Sequence, residues 1–176
     1  MRENGGMADS ENPAAFDAEV ARIWELNREG RAEEALTAAR ALVERYPDNP
    51  RAHFEYAGAL DFQGREAEAV APYQRAQELG LSGDDLPRLY AQLGSTLRNV
   101  GRAWDAVHLL EEGRARFPDY AAIRAFRALA LVSAGCPDEA VVELLDVILA
   151  NADCIELDGY ERALREYTEA LRPPPR

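Results

Sequence analysis

Apolar positions recur along the chain with helical spacing. In GYERALREYTEAL the side chains Tyr160, Leu164, Tyr167 and Leu171 fall at i, i+4, i+7 and i+11, one apolar stripe that predicts an amphipathic helix over 158–172. The segment before it, VVELLDVILA, is apolar almost all round and predicts a helix that other elements must cover. An amphipathic last helix packed on an apolar one is what the end of a helical stack needs, because a terminal repeat otherwise exposes its core face.

The same alternation repeats upstream. Glycine followed five residues later by alanine occurs at Gly30/Ala35, Gly64/Ala69, Gly101/Ala106 and Gly135/Ala140, at intervals of 34, 37 and 34 residues. The three extra residues fall in the turn cluster GLSGDD (80–85). Glycine just past a helix takes the left-handed conformation of a C-cap. The acid before each alanine (Glu34, Glu68, Asp105, Glu139) suits the positive end of the next helix. Pro47 and Pro118 close two of the units, since proline cannot continue a helix. The pattern predicts helix–turn–helix four times over, with no strand. Pro72, inside the second helix of the second unit, predicts a bend.

Glycine, alanine and closing proline at these offsets resemble the tetratricopeptide repeat. The third unit carries the pattern best, with Tyr90, Leu93, Gly94, Leu97, Gly101, Ala106, Leu110, Gly113 and Pro118. The second supplies His53, Tyr56, Ala57, Leu60, Gly64, Ala69, Tyr73 and Ala76; the fourth keeps Ala128, Leu131, Gly135, Ala140 and Leu144. The first is degenerate: Glu19 and Arg22 stand at apolar positions, and a shift by one residue buries Val20, Ile23 and Trp24 instead. The stretches 54–70 and 93–102 are similar to small bacterial proteins of this family. The resemblance implies an all-α, right-handed α-solenoid of about four repeats (16–49, 50–86, 87–120, 121–150) with a capping helix over 158–172. A single domain over 14–172 is expected, between disordered tails at 1–13 and 173–176.

Composition narrows the function classes. The chain has 176 residues, 32 acidic against 20 basic, and a net charge of −12; every basic residue is arginine and none is lysine. Such a balance disfavours nucleic acid and anionic membranes, which require clustered positive charge. MRENGGMADSENP has no apolar core of an export signal, and the two cysteines have no Cys/His cluster near either, so a cytoplasmic protein without metal or cofactor is expected. His53 reads as a core aromatic and His108 as an outer-surface residue; neither has a nucleophile at dyad spacing, so no enzyme is predicted.

The resemblance implies that the first helix of each repeat lines a concave, partner-binding face. Helical spacing then assigns Arg51, Phe54, Gly58, Asp61 and Phe62 of the second repeat, and Arg88, Ala91, Ser95, Arg98 and Asn99 of the third, to that face. Three arginines and one aspartate give it a charge opposite in sign to the chain. Planar guanidinium groups in a concavity suit carboxylates, so an adaptor binding a peptide, with an acidic partner segment, is the leading expectation. The spacing equally allows Asp61 and Arg98 to pair with each other. At the positions where chaperone-binding members of the family carry a carboxylate clamp stand Val20, Trp24, Glu55, Arg88 and Gln92, and only Arg88 fits such a clamp. A self-assembling structural module, or a regulatory subunit of a larger complex, is the alternative.

Overall fold

The computed structural model describes residues 13–151, 157 and 159–172. Among them the chain forms nine α-helices and no strand: α1 (Pro13–Arg28), α2 (Ala32–Arg45), α3 (Pro50–Phe62), α4 (Glu66–Glu78), α5 (Asp85–Asn99), α6 (Ala103–Arg116), α7 (Ala121–Ser133), α8 (Pro137–Ala150) and α9 (Glu161–Leu171). Pro13, expected in a tail, is the first residue of α1; the remaining tail residues and Cys154 lie outside the described residues. Contacts divide the chain into two compact units, one ending at Asp85 and the other beginning at Leu86.

In the first unit α1 packs on α2, α2 on α3, α3 on α4, and α1 also touches α3. Gly64 ends α3 with φ 72°, a conformation that costs an L-residue its Cβ clearance. Its amide bonds the Asp61 carbonyl (2.9 Å) while Arg65 N–H bonds the Leu60 carbonyl (2.9 Å), the paired closure of a Schellman cap. Gly30, Gly101 and Gly135 repeat it, with Arg31, Arg102 and Cys136 donating to Leu26, Leu97 and Leu131. The residue after the glycine does more in three of the four turns. Arg31 donates to both oxygens of Glu34 (2.8 and 2.6 Å), Arg65 to both of Glu68 (2.7 and 2.6 Å), and Arg102 to Asp105 (2.6 Å). In these three turns the acid before the repeat alanine therefore serves the helix start and clasps the preceding turn. The alanines themselves, Ala35, Ala69, Ala106 and Ala140, are all buried.

The first helix adopts the shifted register: Val20 and Ile23 are buried, Trp24 is half-buried, Arg22 is exposed, and Glu19 pairs with Arg45 at 2.8 Å. Phe16 meets Tyr46 edge-on at 5.2 Å, and Asn49 caps α3 by accepting from Arg51 N–H ahead of Pro50. A fully buried Ile23 or Leu42 is worth roughly 1.5–3 kcal/mol of burial each. Helix α4 runs without interruption through Pro72, which is half-buried.

In the second unit α6 packs on α7, α7 on α8 and α8 on α9. Helices α5 and α6 meet where glycines admit large side chains: a Cβ on Gly94 would lie 2.5 Å from Leu110 Cγ, and one on Gly113 would lie 2.8 Å from Tyr90 Cγ. Arg124 and Arg127 of α7 both grip the buried Glu143 of α8, at 2.6 and 2.8 Å. Arg127 also reaches Glu111 (2.7 Å) and Arg172 reaches Asp146 (2.8 Å), so one ion-pair network joins α6, α7, α8 and the end of α9. Burial pushes the Glu111 carboxyl up, but the hydrogen bond from Arg114 and the charge of Arg127 hold it below its ordinary value. The expected packing stripe of α9 is only half realised. Leu164 and Leu171 are half-buried and Thr168 buried, whereas Tyr160 and Tyr167 are 65% and 66% exposed. The four positions share one side of the helix, and the covered edge of that side is the one that carries Leu164 and Thr168.

Candidate functional site

The first helices of the second and third repeats, α3 and α5, carry the positions assigned to a partner. On α3 the residues do not all face solvent. Phe54 is 2% exposed and packs against the Tyr73 ring at 5.9 Å, so it belongs to the α3–α4 core; its position in the turn faces α4 rather than a ligand. Gly58 is small for a local reason, since a Cβ there would sit 3.1 Å from the Trp24 ring. Phe62 is 60% exposed and meets Trp24 edge-to-face at 6.1 Å. Trp24 in turn donates its indole N–H to Glu55 (2.6 Å). An uncovered aromatic pair thus marks the α1–α3 face.

Arg51 is the sharpest departure from the charge expectation. Its guanidinium contacts Asp17 at 2.6 Å, Glu55 at 3.5 Å and Asp85 at 3.5 Å, and lies 5.5 Å from the Phe16 ring centroid. Burial pulls its pKa down, but the hydrogen bond it donates to Asp17 and the charges of the other two carboxylates outweigh that and raise it. Three carboxylates around one arginine leave no positive field at that point. Counting charges along one helix face omitted Asp17 and Asp85, which come from other helices. Asp61 accepts from the Tyr73 hydroxyl at 3.4 Å.

On α5, Arg88 and Asn99 are exposed, Ser95 and Arg98 are half-buried, and Ala91 is buried. Arg98 donates to the Asn99 side chain at 2.7 Å, while its Nε is buried with no hydrogen-bond partner. The structure brings together Arg98 with Asn99, Phe62 with Trp24, and Arg51 with its three carboxylates.

Helix α7 holds what the sequence reading passed over. Adding 34 to Gln92, Ser95 and Arg98 gives Phe126, Leu129 and Val132. Phe126 is half-buried, and Leu129 and Val132 are 47% and 56% exposed. The repeat interval itself was the signal that locates them.

The histidines sit away from these faces. His53, expected in the core, is half-buried with a ring nitrogen 2.8 Å from the Pro47 carbonyl oxygen. His108 is exposed beside the exposed Trp104, ring centroids 6.1 Å apart. Among the described residues no group of three His, Cys, Asp or Glu is placed to hold a metal, and no helix is long and apolar enough to cross a membrane. A cavity of about 140 Å³ lined by Pro118, Arg124, Val147 and Asn151 is smaller than the roughly 300–1,000 Å³ of small-molecule sites.

Comparison with known proteins follows the same lines. Residues 50–171 match the profile of a Tetratrico peptide repeat family, and residues 16–59 match a second Tetratricopeptide repeat profile. Nearly identical TPR-like repeats from Podosopora anserina share the fold with a TM-score of 0.71 at 18% identity, over 92% of this chain and 93% of that one. MamA (41-end) from Desulfovibrio magneticus RS-1 gives 0.65 at 17% identity, over 94% and 95%. YrrB, a TPR protein with an unusual peptide-binding site, gives 0.62 at 15% identity, over 88% and 85%. Identities this low speak for a common all-α solenoid fold alone. No curated protein matches the chain.

Proposed function

The chain belongs to the tetratricopeptide repeat family, and from that premise we propose that it is an adaptor, carrying no chemistry of its own, that binds a peptide segment of a partner protein along its first helices. The observation that carries the proposal is uncovered apolar surface at partner-facing positions: Phe62 beside Trp24 on one face, Leu129 and Val132 on another. Isolated exposed apolar residues are ordinary, but apolar groups that stand side by side on one helix face form a surface that a partner can cover. Arg88 and Arg98 on α5 favour carboxylates in the bound segment. Arg51, with three carboxylates around it, serves the scaffold, and Phe54 serves the core. Affinity capture from native extract, with wild type beside Phe62→Ala and an Arg88→Glu, Arg98→Glu double variant, tests this. Partners retained by the wild type and lost by the variants support it; identical captures refute it.

Self-assembly is the second reading, favoured by the exposed Tyr167 of α9 and Tyr160 just before it, together with Val141 and Leu144 of α8. Light scattering of a dilute sample separates the two, because a monodisperse monomer leaves that surface without a second copy.

A further inference from the structure

Around α6 and α7 the arginines of the second unit are engaged by acids. Arg102, Arg114, Arg116, Arg124 and Arg127 each reach a carboxylate of the same unit. Arg98 reaches none among the described residues; its neighbour is the neutral Asn99 amide, and its Nε is buried with no hydrogen-bond partner. A half-buried guanidinium with no counter-charge is an unfinished electrostatic arrangement, and a carboxylate completes it with charge-assisted bonds. One repeat later, 34 residues on, the equivalent position is Val132, with Leu129 one turn before it, both exposed on α7. In the first unit the first helices of successive repeats, α1 and α3, touch, and the repeat register puts α5 and α7 in the same relation. Cation and apolar groups therefore follow one another along the same row of positions.

We propose that this α5–α7 face selects a partner segment in which an acidic residue stands beside bulky apolar ones, the acid meeting Arg98 and the apolar side chains meeting Leu129 and Val132. The inference rests on the peptide-binding reading above and adds the chemistry and order of what is bound. Charge complementarity fixes the occupant: a basic segment meets an uncompensated cation, and a purely apolar one leaves the Arg98 charge covered and unpaired, which is costly. Phe126, half-buried one turn ahead of Leu129, extends the apolar part.

The test is a phage-displayed random peptide library panned on the full chain, with recovered peptides synthesised and measured by fluorescence polarisation against wild type, Arg98→Gln, Arg98→Lys and Val132→Ser. Each substitution is at a solvent-reached site, and thermal unfolding of each variant confirms that it folds. The recovered sequences should place aspartate or glutamate next to leucine, isoleucine or phenylalanine. Arg98→Gln should weaken binding about tenfold or more, as loss of a hydrogen bond to a charged group does. Arg98→Lys should retain part of the affinity, and Val132→Ser should weaken it about tenfold, the scale of a truncated interface anchor. Peptides without acidic residues, or affinities unchanged in Arg98→Gln and Val132→Ser, overturn the inference while leaving the adaptor reading intact. Recovery of no peptide refutes both.

Discussion

Substituting Gly94 by alanine tests how α5, the helix that presents Arg88 and Arg98, is seated. In an exposed helix the change would stabilise by about 0.5–1 kcal/mol, because glycine loses more backbone freedom on folding. Here the new Cβ would lie 2.5, 2.6 and 2.7 Å from Leu110 Cγ, Cδ2 and Cδ1. Leu110 is fully buried, and all three close atoms belong to its branch point and both methyl groups, so no rotamer change of one arm relieves the clash. Overpacking of this kind costs about 1–3 kcal/mol and exceeds the backbone gain. The difference between these two effects is a net loss of about 1 kcal/mol at their midpoints and of about 2.5 kcal/mol at most. For a chain of this size that lowers the melting midpoint by roughly 2–4 °C per kcal/mol. Urea unfolding followed by circular dichroism reads the loss directly. The decisive control is the Leu110→Ala background. That substitution alone costs about 2–5 kcal/mol through its cavity, but it empties the space the Gly94→Ala methyl group needs. On that background Gly94→Ala should become stabilising. An equal effect of Gly94→Ala in both backgrounds, or a gain in the wild type, would refute the steric argument.

Glu143→Ala removes the acid that Arg124 and Arg127 share but leaves Glu111 to Arg127 and Asp146 to Arg124, so chemical denaturation should show a loss below the about 3–5 kcal/mol of breaking an isolated buried pair. Phe62→Ala should leave stability within about 0.5 kcal/mol, as at other exposed positions, yet reduce partner capture; a large loss of stability would show Phe62 to be a core residue. The Arg31 and Arg65 hydrogen bonds hold the Glu34 and Glu68 carboxyls below their ordinary value of 4.5. Their contribution is therefore present above that value and lost as pH falls through the lower folded-state values. A Glu34→Gln, Glu68→Gln variant should show a flatter stability profile than wild type over about pH 5 to 3; coincident profiles would contradict the assignment.

The repeat architecture was legible because its signals are local. Glycine at a left-handed cap, alanine at a close helix approach and proline after a helix each answer to the backbone within a few residues. What one helix wheel could not supply was the identity of the neighbour. Phe54 and Phe62 both look eligible for a binding face, but only Phe62 stands clear of α4. Arg51 counts as a cation on α3 until Asp17 and Asp85 arrive from elsewhere in the unit. Trp24 was legible as a buried residue in the shifted register; its role as the partner ring of Phe62 and the donor to Glu55 required the packing of α1 on α3. Tyr160 and Tyr167 carry the correct periodicity and still remain exposed, because periodicity defines a stripe and the facing helix decides which edge of it is covered.

The arginine clasps at the turns carry a consequence for how the molecule opens. Three turns are fastened twice, by the backbone cap and by Arg31–Glu34, Arg65–Glu68 or Arg102–Asp105; the fourth has Cys136 at the clasping position and only the backbone closure. Exposed pairs of this kind contribute a few tenths of a kcal/mol and fade in salt. Ionic strength is therefore a dial on the hierarchy of local fluctuation. Added salt should loosen the three clasped turns and leave the α7–α8 turn, which has no such clasp and is held by the buried Glu143 pairs, as it was.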